Sequence, residues 1–211
     1  MANYTTADIK ALRERTGAGM LDVKKALDEA DGDAERAVEI IRVKGLKGVA
    51  KREGRNASAG LIAARVVDDG DSQAGVLVEV NAETDFVAKN EKFIAFADRV
   101  LDAAVASGAE TAEALAEVAV EDGTVKDLTD SMQAVIGEKI VVRRLARLVA
   151  PKVELYLHRT NPDLPAQVGV LVGTDAKAAE VAHDVAMHIA AYSPAYATRE
   201  DIPTEVVDKE R

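Results

Sequence analysis

The side chains that most often carry out chemistry are few in this sequence and are poorly placed to act together. The 211 residues include three histidines and no cysteine. His183 and His188 are five residues apart, which puts them on different sides of a helix, so we expect no shared metal ion. Gly17-Ala-Gly19 resembles part of a dinucleotide-binding fingerprint, but it follows a helical pattern and lacks the third glycine. We therefore predict neither a metal site nor a cofactor.

Motifs for covalent catalysis are also missing. The sequence contains no Gly-x-x-x-x-Gly-Lys loop, no Gly-x-Ser-x-Gly elbow and no nucleophile beside a plausible base. Its 37 Asp and Glu residues exceed its 27 Lys and Arg residues, which gives a net charge of −10, and most of the acidic residues are expected on the solvated surface. The sequence predicts a protein that is not an enzyme.

The segment Thr84-Asp-Phe-Val87 is the main candidate for binding a partner. The chain has three Phe, four Tyr and no Trp, so an aromatic residue outside a core pattern is an uncommon use of this residue type. In one interpretation, Thr84 or Asp85 caps a helix and Phe86 folds back onto the core as a hydrophobic staple. In the other, the cap fixes a loop tip and holds Phe86 outward to fill a pocket on a partner.

An internal repeat favours the second interpretation. Gln73-Ala-Gly-Val-Leu-Val78 matches Gln167-Val-Gly-Val-Leu-Val172 in five of six positions. Aligning these strands gives an offset of 94 residues, whereas aligning Asp98 with Asp184 in the following helices gives 86. The first copy therefore has eight extra residues, which fall within residues 81–96. A connection longer than the fold needs indicates that this segment has another purpose.

The N-terminal part predicts helices that could present further contacts. Residues 6–41 predict three short helices, because their apolar residues recur at helical spacing. Thr16-Gly-Ala-Gly19 and Asp31-Gly-Asp33 separate them, since glycine favours the turn that ends a helix and Asp can cap the next. We assign residues 1–41 to this three-helix module. Residues 42–59, which are rich in glycine and basic residues, predict a basic tether.

The remainder predicts an α+β fold. Residues 61–67 and 76–80 predict a hairpin, with a turn-rich loop over 68–73. Further strands are predicted over 139–149, 153–158 and 168–172, and the predicted helices cover residues 93–105, 125–136 and 176–191. The expected architecture is an N-terminal three-helix module followed by a duplicated core of antiparallel hairpins covered by helices. Its halves are assigned to residues 60–147, with the Thr-Asp-Phe-Val loop, and 148–211.

Charge and hydropathy restrict the partners. Residues 1–55 carry 12 Lys and Arg against 10 Asp and Glu, whereas the rest carries 15 against 27. An acidic body repels phosphates, so we expect no nucleic acid partner. No apolar run approaches the roughly 20 residues of a membrane span, and the start lacks a signal-peptide pattern, so we expect no membrane partner and a cytoplasmic location. A protein partner fits this composition better.

Two stretches resemble the signatures of the elongation factor Ts family. They are Leu12-Arg-Glu-Arg-Thr-Gly-Ala-Gly-Met-Leu-Asp-Val-Lys-Lys-Ala-Leu27 and Glu79-Val-Asn-Ala-Glu-Thr-Asp-Phe-Val-Ala88. Weaker similarity extends over nearly the whole chain, through Ile136-Gly-Glu and Met187-His-Ile-Ala-Ala191 to Glu205-Val-Val. The resemblance implies a guanine nucleotide exchange factor that binds elongation factor Tu and acts in translation elongation.

The resemblance also implies a role for individual residues. The N-terminal module would be ubiquitin-associated-like and would dock on the G domain of elongation factor Tu, with Met20 and Leu21 at its contact. Ile136 and Gly137 would lie in the contact surface of the core. Thr84, Asp85, Phe86 and Val87 would disturb the magnesium and phosphate site of the partner and so promote release of GDP.

The end of the sequence departs from the family pattern. Members of the family usually continue past Glu205-Val-Val-Asp-Lys-Glu-Arg211 into a helical hairpin, a strand and a C-terminal helix. From the repeat we expect the second half to lack a strand partner without this continuation, which leaves a sheet edge unpaired. Whether the chain forms a homodimer stays open. Two alternatives also stay open: a helical peptide-binding or ubiquitin-associated-type module without exchange activity, and an RNA-associated protein that uses residues 42–55 as a basic arm.

Overall fold

A computed structural model describes residues 3–121 and 123–210. In chain order the helices are α1 (Thr6–Thr16), α2 (Met20–Glu29), α3 (Ala34–Arg52), α4 (Asp85–Ala88), α5 (Glu91–Ser107), α6 (Ala112–Ala116), α7 (Val125–Ile136), α8 (Ala182–Tyr192) and α9 (Thr204–Lys209). The strands are β1 (Ala59–Asp69), β2 (Ser72–Ala82), β3 (Ala119–Val120), β4 (Gly123–Thr124), β5 (Ile140–Ala150), β6 (Lys152–His158) and β7 (Val168–Thr174). N-terminal helices followed by antiparallel hairpins confirm the predicted α+β class.

The N-terminal helices form their own small hydrophobic core. α1 begins with a capping box, in which the Thr5 hydroxyl accepts from the backbone N–H of Asp8 and the Asp8 carboxylate accepts from that of Thr5. It ends at Gly17, whose φ of 70° is the left-handed conformation that glycine adopts without strain. Buried apolar side chains from all three helices then meet, among them Leu12, Val23, Leu27 and Ala37.

The third helix is longer than the sequence predicted. α3 begins after the Asp33 cap and continues to Arg52, so residues 42–52 of the predicted tether are helical. At Gly45, an added Cβ would lie 2.4 Å from the Cβ of Ala134 in α7. The tether prediction is therefore wrong for these residues: this glycine allows close packing of two helices and does not mark a flexible linker. Within the predicted tether, irregular backbone is confined to residues 53–58, between α3 and β1.

In the part of the chain that the structure describes, the strands form three antiparallel sheets, of which the smallest is the short β3-β4 pair. β1 pairs with β2 from Ala59–Ala82 to Asp69–Ser72, which confirms the predicted hairpin but extends both strands into the predicted loop. The extension is possible because Gly70, with φ of 63°, completes a two-residue turn. β5 pairs with the other edge of β2, giving the order β1-β2-β5, and β6 pairs with β7 in a separate sheet.

The sheets and helices pack as four layers. α5 and α7 cover one face of the β1-β2-β5 sheet, and the β6-β7 sheet packs on its other face with α8 outside. The first interface contains the main core, where the rings of Phe93 and Phe96 are fully buried with centroids 6.2 Å apart. α7 spans the residues that the sequence predicted, because a Thr124 and Asp127 capping box starts it and Gly137, with φ of 84°, ends it.

The internal repeat packs against itself. Gly75 in β2 and Gly169 in β7 occupy equivalent positions of the two copies, as do Leu77 and Leu171. An added Cβ at Gly75 would lie 2.7 Å from a methyl group of Leu171, and one at Gly169 would lie 3.1 Å from a methyl group of Leu77. Each glycine thus accommodates the leucine of the other copy, and this reciprocal contact sets the close approach of the two sheets.

Candidate functional site

The Thr84-Asp-Phe-Val87 segment forms a single turn that projects from the first hairpin. β2 ends at Ala82, and α4 follows immediately over Asp85–Ala88. Val87 is buried in the main core, whereas Asp85 is exposed and Phe86 has 73% of its area exposed. The staple interpretation of Phe86 is therefore wrong. The ring instead points to solvent, where the ammonium of Lys89 lies 5.0 Å from its centroid.

Thr84 is held by a residue that is distant in sequence. It occupies the N-cap position of α4, but its side chain makes no capping hydrogen bond, contrary to the predicted cap. Its hydroxyl donates to Oε1 of Glu138 at 2.8 Å, and its backbone N–H donates to Oε2 at 3.0 Å. Both oxygens of one carboxylate therefore bind Thr84, and they connect the base of α4 to the turn between α7 and β5.

A second carboxylate makes the reciprocal connection. The backbone N–H of Lys139 donates to Oε1 of Glu83 at 2.6 Å, and Arg55 Nη1 donates to the same oxygen at 3.2 Å. The pKa of the Glu83 carboxyl is lowered from its ordinary value of 4.5, chiefly by the Lys139 N–H and further by Arg55. We call Glu83, Thr84, Glu138 and Lys139 the carboxylate clasp. In it, Glu83 accepts from Lys139, and Glu138 accepts from Thr84.

The clasp places two predicted contact sites side by side. Gly137 directly precedes Glu138 and is exposed, and an added Cβ there would meet nothing within 4 Å. Ile136 is half-buried and packs against the main core. The exposed end of α7 and the Asp85–Phe86 tip are thus joined through the clasp in one surface, although about 50 residues separate them in sequence.

The predicted contact on α2 borders the same surface. Met20 and Leu21 are 60% and 72% exposed, because Val23 and Leu27 take the positions that face the helical core. A cleft of 330 Å³ separates this end of α2 from the end of α7. Its lining residues include Ala18, Gly19, Asp22, Ile136 and Gly137.

Close glycine contacts fix the helical module beside α7. At Gly17, an added Cβ would lie 2.4 Å from a methyl group of Val135, as close as the Gly45 contact with Ala134 in the same helix. Arg52 also donates from Nη1 to the backbone carbonyl of Gln133 at 3.3 Å. The module therefore packs directly on the core, and α2 presents its exposed end next to α7.

The described residues offer no arrangement for metal chemistry. Residues 3–121 and 123–210 contain no group of three or more His, Asp or Glu side chains that could hold an ion. His183 instead lies with Nδ1 2.7 Å from Oε1 of Glu154. In the same part of the chain, no helix is long and apolar enough to cross a membrane.

Comparison with known proteins gives the family of this chain. The family model described as Elongation factor TS matches residues 83–211. Curated relatives named elongation factor Ts include those of Beutenbergia cavernae, Micrococcus luteus and Paenarthrobacter aurescens, which are 65%, 61% and 58% identical. Each alignment covers 100% of this chain and 76% of the relative. The chain belongs to the elongation factor Ts family.

Membership of the elongation factor Ts family confirms the resemblance inferred from the two signature stretches. It also assigns the chain to translation elongation, a step of protein biosynthesis. The family model begins at Glu83, the first residue of the clasp, and continues through the described core. The relatives are longer than the chain, which spans about three quarters of their length.

Sequence reasoning missed the residues that hold the site together. It selected the Thr-Asp-Phe-Val loop and the end of α7, but not Glu83, Glu138 or Lys139. Glu138 ends the Ile136-Gly-Glu stretch that is similar to the family, but it is one of 37 acidic residues and this similarity gave it no role. Only the tertiary contact with Thr84 across 54 positions identifies it.

Proposed function

We propose that this member of the elongation factor Ts family is a guanine nucleotide exchange factor for elongation factor Tu. It binds the G domain of the partner in the cytoplasm and promotes release of GDP by disturbing the magnesium and phosphate site. In this proposal the chain forms and breaks no covalent bond and needs no cofactor of its own.

The exposure of Phe86 is the observation that carries the proposal. A phenylalanine that is 73% exposed on a turn with a buried Val87 is costly in water, and such aromatics are typical hot spots of protein interfaces. Since Val87 and Thr84 are bound to the core on either side, the ring is presented on a fixed support. This arrangement favours insertion into a partner pocket.

The neighbouring exposed groups extend this contact. Met20 and Leu21 would bind the G domain from the helical module, and Ile136 with Gly137 would bind it from the core. A partner helix placed at the cleft between α2 and α7 would reach both groups and bring its adjoining loops towards Asp85 and Phe86. The exposed apolar surface and the absence of a side chain at Gly137 suit a closely packed protein contact.

Exchange requires only that the partner bind this chain more tightly without nucleotide than with it. By thermodynamic linkage, nucleotide affinity then falls by the same factor. Each tenfold weakening of GDP requires about 1.4 kcal/mol of coupling, which interface hot spots can supply several times over. If Asp85 and Phe86 displace groups of the partner that hold magnesium, the phosphates of GDP lose the positive charge that retains them. A small movement of those groups then produces a large increase in the rate of GDP release.

Release of a fluorescent GDP analogue from elongation factor Tu tests the proposal. Addition of the chain should accelerate release in a concentration-dependent manner at fixed magnesium. The expected response weakens as magnesium is raised, because excess cation opposes its displacement. No acceleration by a chain that is folded by circular dichroism would contradict exchange activity.

Two parallel binding measurements address the alternatives. Binding to ubiquitin or helical peptides without any effect on GDP release would favour an interaction module. Salt-sensitive binding to RNA, lost when basic residues of α3 are replaced, would favour an RNA-associated protein. The exchange factor predicts neither as its principal interaction.

A further inference from the structure

We propose that Glu138 is a positioning residue for the Thr84-Asp-Phe-Val87 turn. Its carboxylate fixes the backbone of Thr84 and thereby the direction in which Asp85 and Phe86 leave the surface. The inference rests on the proposed exchange function and adds to it a residue outside the loop, for which the structure gives a specific mechanical task.

The other threonine caps of the chain show what is unusual at Thr84. Thr5, Thr111 and Thr124 have extended backbones at the N-caps of α1, α6 and α7, and each hydroxyl accepts a hydrogen bond from its own helix. Thr84 has the same extended backbone, with φ of −128° and ψ of 156°, but makes no such bond. Its hydroxyl donates to Glu138 instead, so the interaction stabilises the attachment of α4 to the core and not α4 itself.

The geometry restrains both position and orientation. One oxygen of Glu138 accepts the Thr84 N–H at 3.0 Å, and the other accepts its hydroxyl at 2.8 Å. Two hydrogen bonds from different atoms of one residue to one carboxylate prevent rotation that either bond alone would allow. Hydrogen bonds to a charged acceptor are also stronger than neutral ones.

The Glu83–Lys139 bond closes the connection from the opposite direction. Residues 83–84 and 138–139 are thereby joined by three hydrogen bonds, two of which use backbone N–H groups. Gly137 precedes one of these pairs and Asp85 follows the other. A partner that binds the end of α7 therefore meets Asp85 and Phe86 at a fixed separation, and none of its binding energy is needed to order the turn.

Steady-state exchange with elongation factor Tu should separate this role from simple binding. Glu138→Ala should lower kcat for GDP release about tenfold and change KM less than about twofold, since Met20, Leu21 and Ile136 still bind. Glu138→Gln keeps one acceptor oxygen and should have an intermediate kcat. Glu200→Ala, which removes an exposed carboxylate between α8 and α9, is the matched control and should behave as wild type.

A double-mutant cycle tests whether Thr84 acts through Glu138. Thr84→Val removes the hydroxyl and should lower kcat in the wild-type background. In the Glu138→Ala background the same change should have little further effect, because its hydrogen-bond acceptor is already gone. Full additivity of the two effects would overturn the proposal, since it would mean that the hydroxyl acts directly on the partner.

Amide hydrogen exchange of the free chain gives a readout that does not depend on the partner. The Thr84 amide should lose protection about tenfold or more in Glu138→Ala, while the amides of β2 and α7 keep theirs. Unchanged protection, or lost protection with unaltered kcat, would overturn the positioning role. If the wild-type chain does not accelerate GDP release from elongation factor Tu, the proposed function is wrong. Hydrogen exchange then still decides whether Glu138 orders the turn.

Discussion

Replacing Phe86 with alanine should abolish most exchange activity while leaving the fold intact. The reason is its position: the ring is 73% exposed on α4, whereas the ring of Phe93, seven residues later, is fully buried in the main core. The same substitution at these two positions should therefore have opposite consequences for function and stability. Phe93→Ala is the matched control for loss of a buried ring.

The expected magnitudes follow from the buried areas. About a quarter of the Phe86 side chain is hidden, or roughly 50 Å² of an area of roughly 200 Å², which at about 25 cal/mol per Å² stabilises the fold by about 1 kcal/mol at most. Phe93→Ala should instead cost about 3–5 kcal/mol. At an interface, loss of a hot-spot aromatic costs about 2 kcal/mol or more, so exchange by Phe86→Ala should fall about 30-fold or more.

Chemical denaturation and stimulated GDP release, measured on the same preparations, provide the assay. Tyr192→Ala serves as a second control, because that ring is 74% exposed at the end of α8 and lies outside the proposed contacts. Its exchange rate should match wild type. The reasoning would be refuted if Phe86→Ala lowered the free energy of unfolding by 3–5 kcal/mol and left exchange per folded molecule unchanged.

Three further predictions concern packing and charge. Gly45→Ala should lower the free energy of unfolding by about 1–3 kcal/mol, because the new Cβ would collide with Ala134. Gly48→Ala should raise it by about 0.5–1 kcal/mol, because the new Cβ meets only the flexible end of an arginine side chain. Denaturant titration measures both, and changes of the same sign would contradict this reasoning. Gly75→Ala should lower the melting temperature by separating the two sheets, and unaltered thermal unfolding would show that the sheets can adjust. Because the pKa of Glu83 is lowered in the folded protein, its ionised carboxylate stabilises the fold at pH values above the ordinary pKa of 4.5, and this contribution is lost as the pH falls through the lowered pKa. The difference in free energy of unfolding between wild type and Glu83→Gln should therefore shrink on acidification. A difference that stays constant with pH would refute the linkage.

The helices and strands were largely predictable, because they depend on local patterns. Helical spacing of apolar residues predicted α7 with the bounds that its capping box and final glycine set, and β-rich runs joined by turn formers predicted the first hairpin. The longer connection between strand and helix in the first copy of the repeat indicated that Phe86 points outward, and the structure confirms that Phe86 is exposed. The family resemblance depended on two contiguous stretches and was likewise available from sequence.

The sequence did not show which glycines permit close packing and which mark flexible backbone. Gly45 was interpreted as part of a flexible linker, yet it lies in α3, where its lack of a side chain leaves room for Ala134 of α7. Propensity alone favours a break at such a residue, whereas burial against α7 outweighs the roughly 1 kcal/mol that glycine costs in a helix. The reciprocal contacts of Gly75 and Gly169 are also invisible in the repeat itself, since each depends on a side chain from the other copy.

The sequence by itself determined most of the longer helices and strands of this protein, the exposed aromatic tip and the family, since all of these depend on local spacing and contiguous motifs. Tertiary structure alone decided that the tip is bound to the end of α7. Glu138 and Thr84 are 54 residues apart, and their hydrogen bonds exist only because β5 pairs with β2 and returns the chain to the base of α4. A carboxylate has no preferred partner until the fold brings a donor to both of its oxygens.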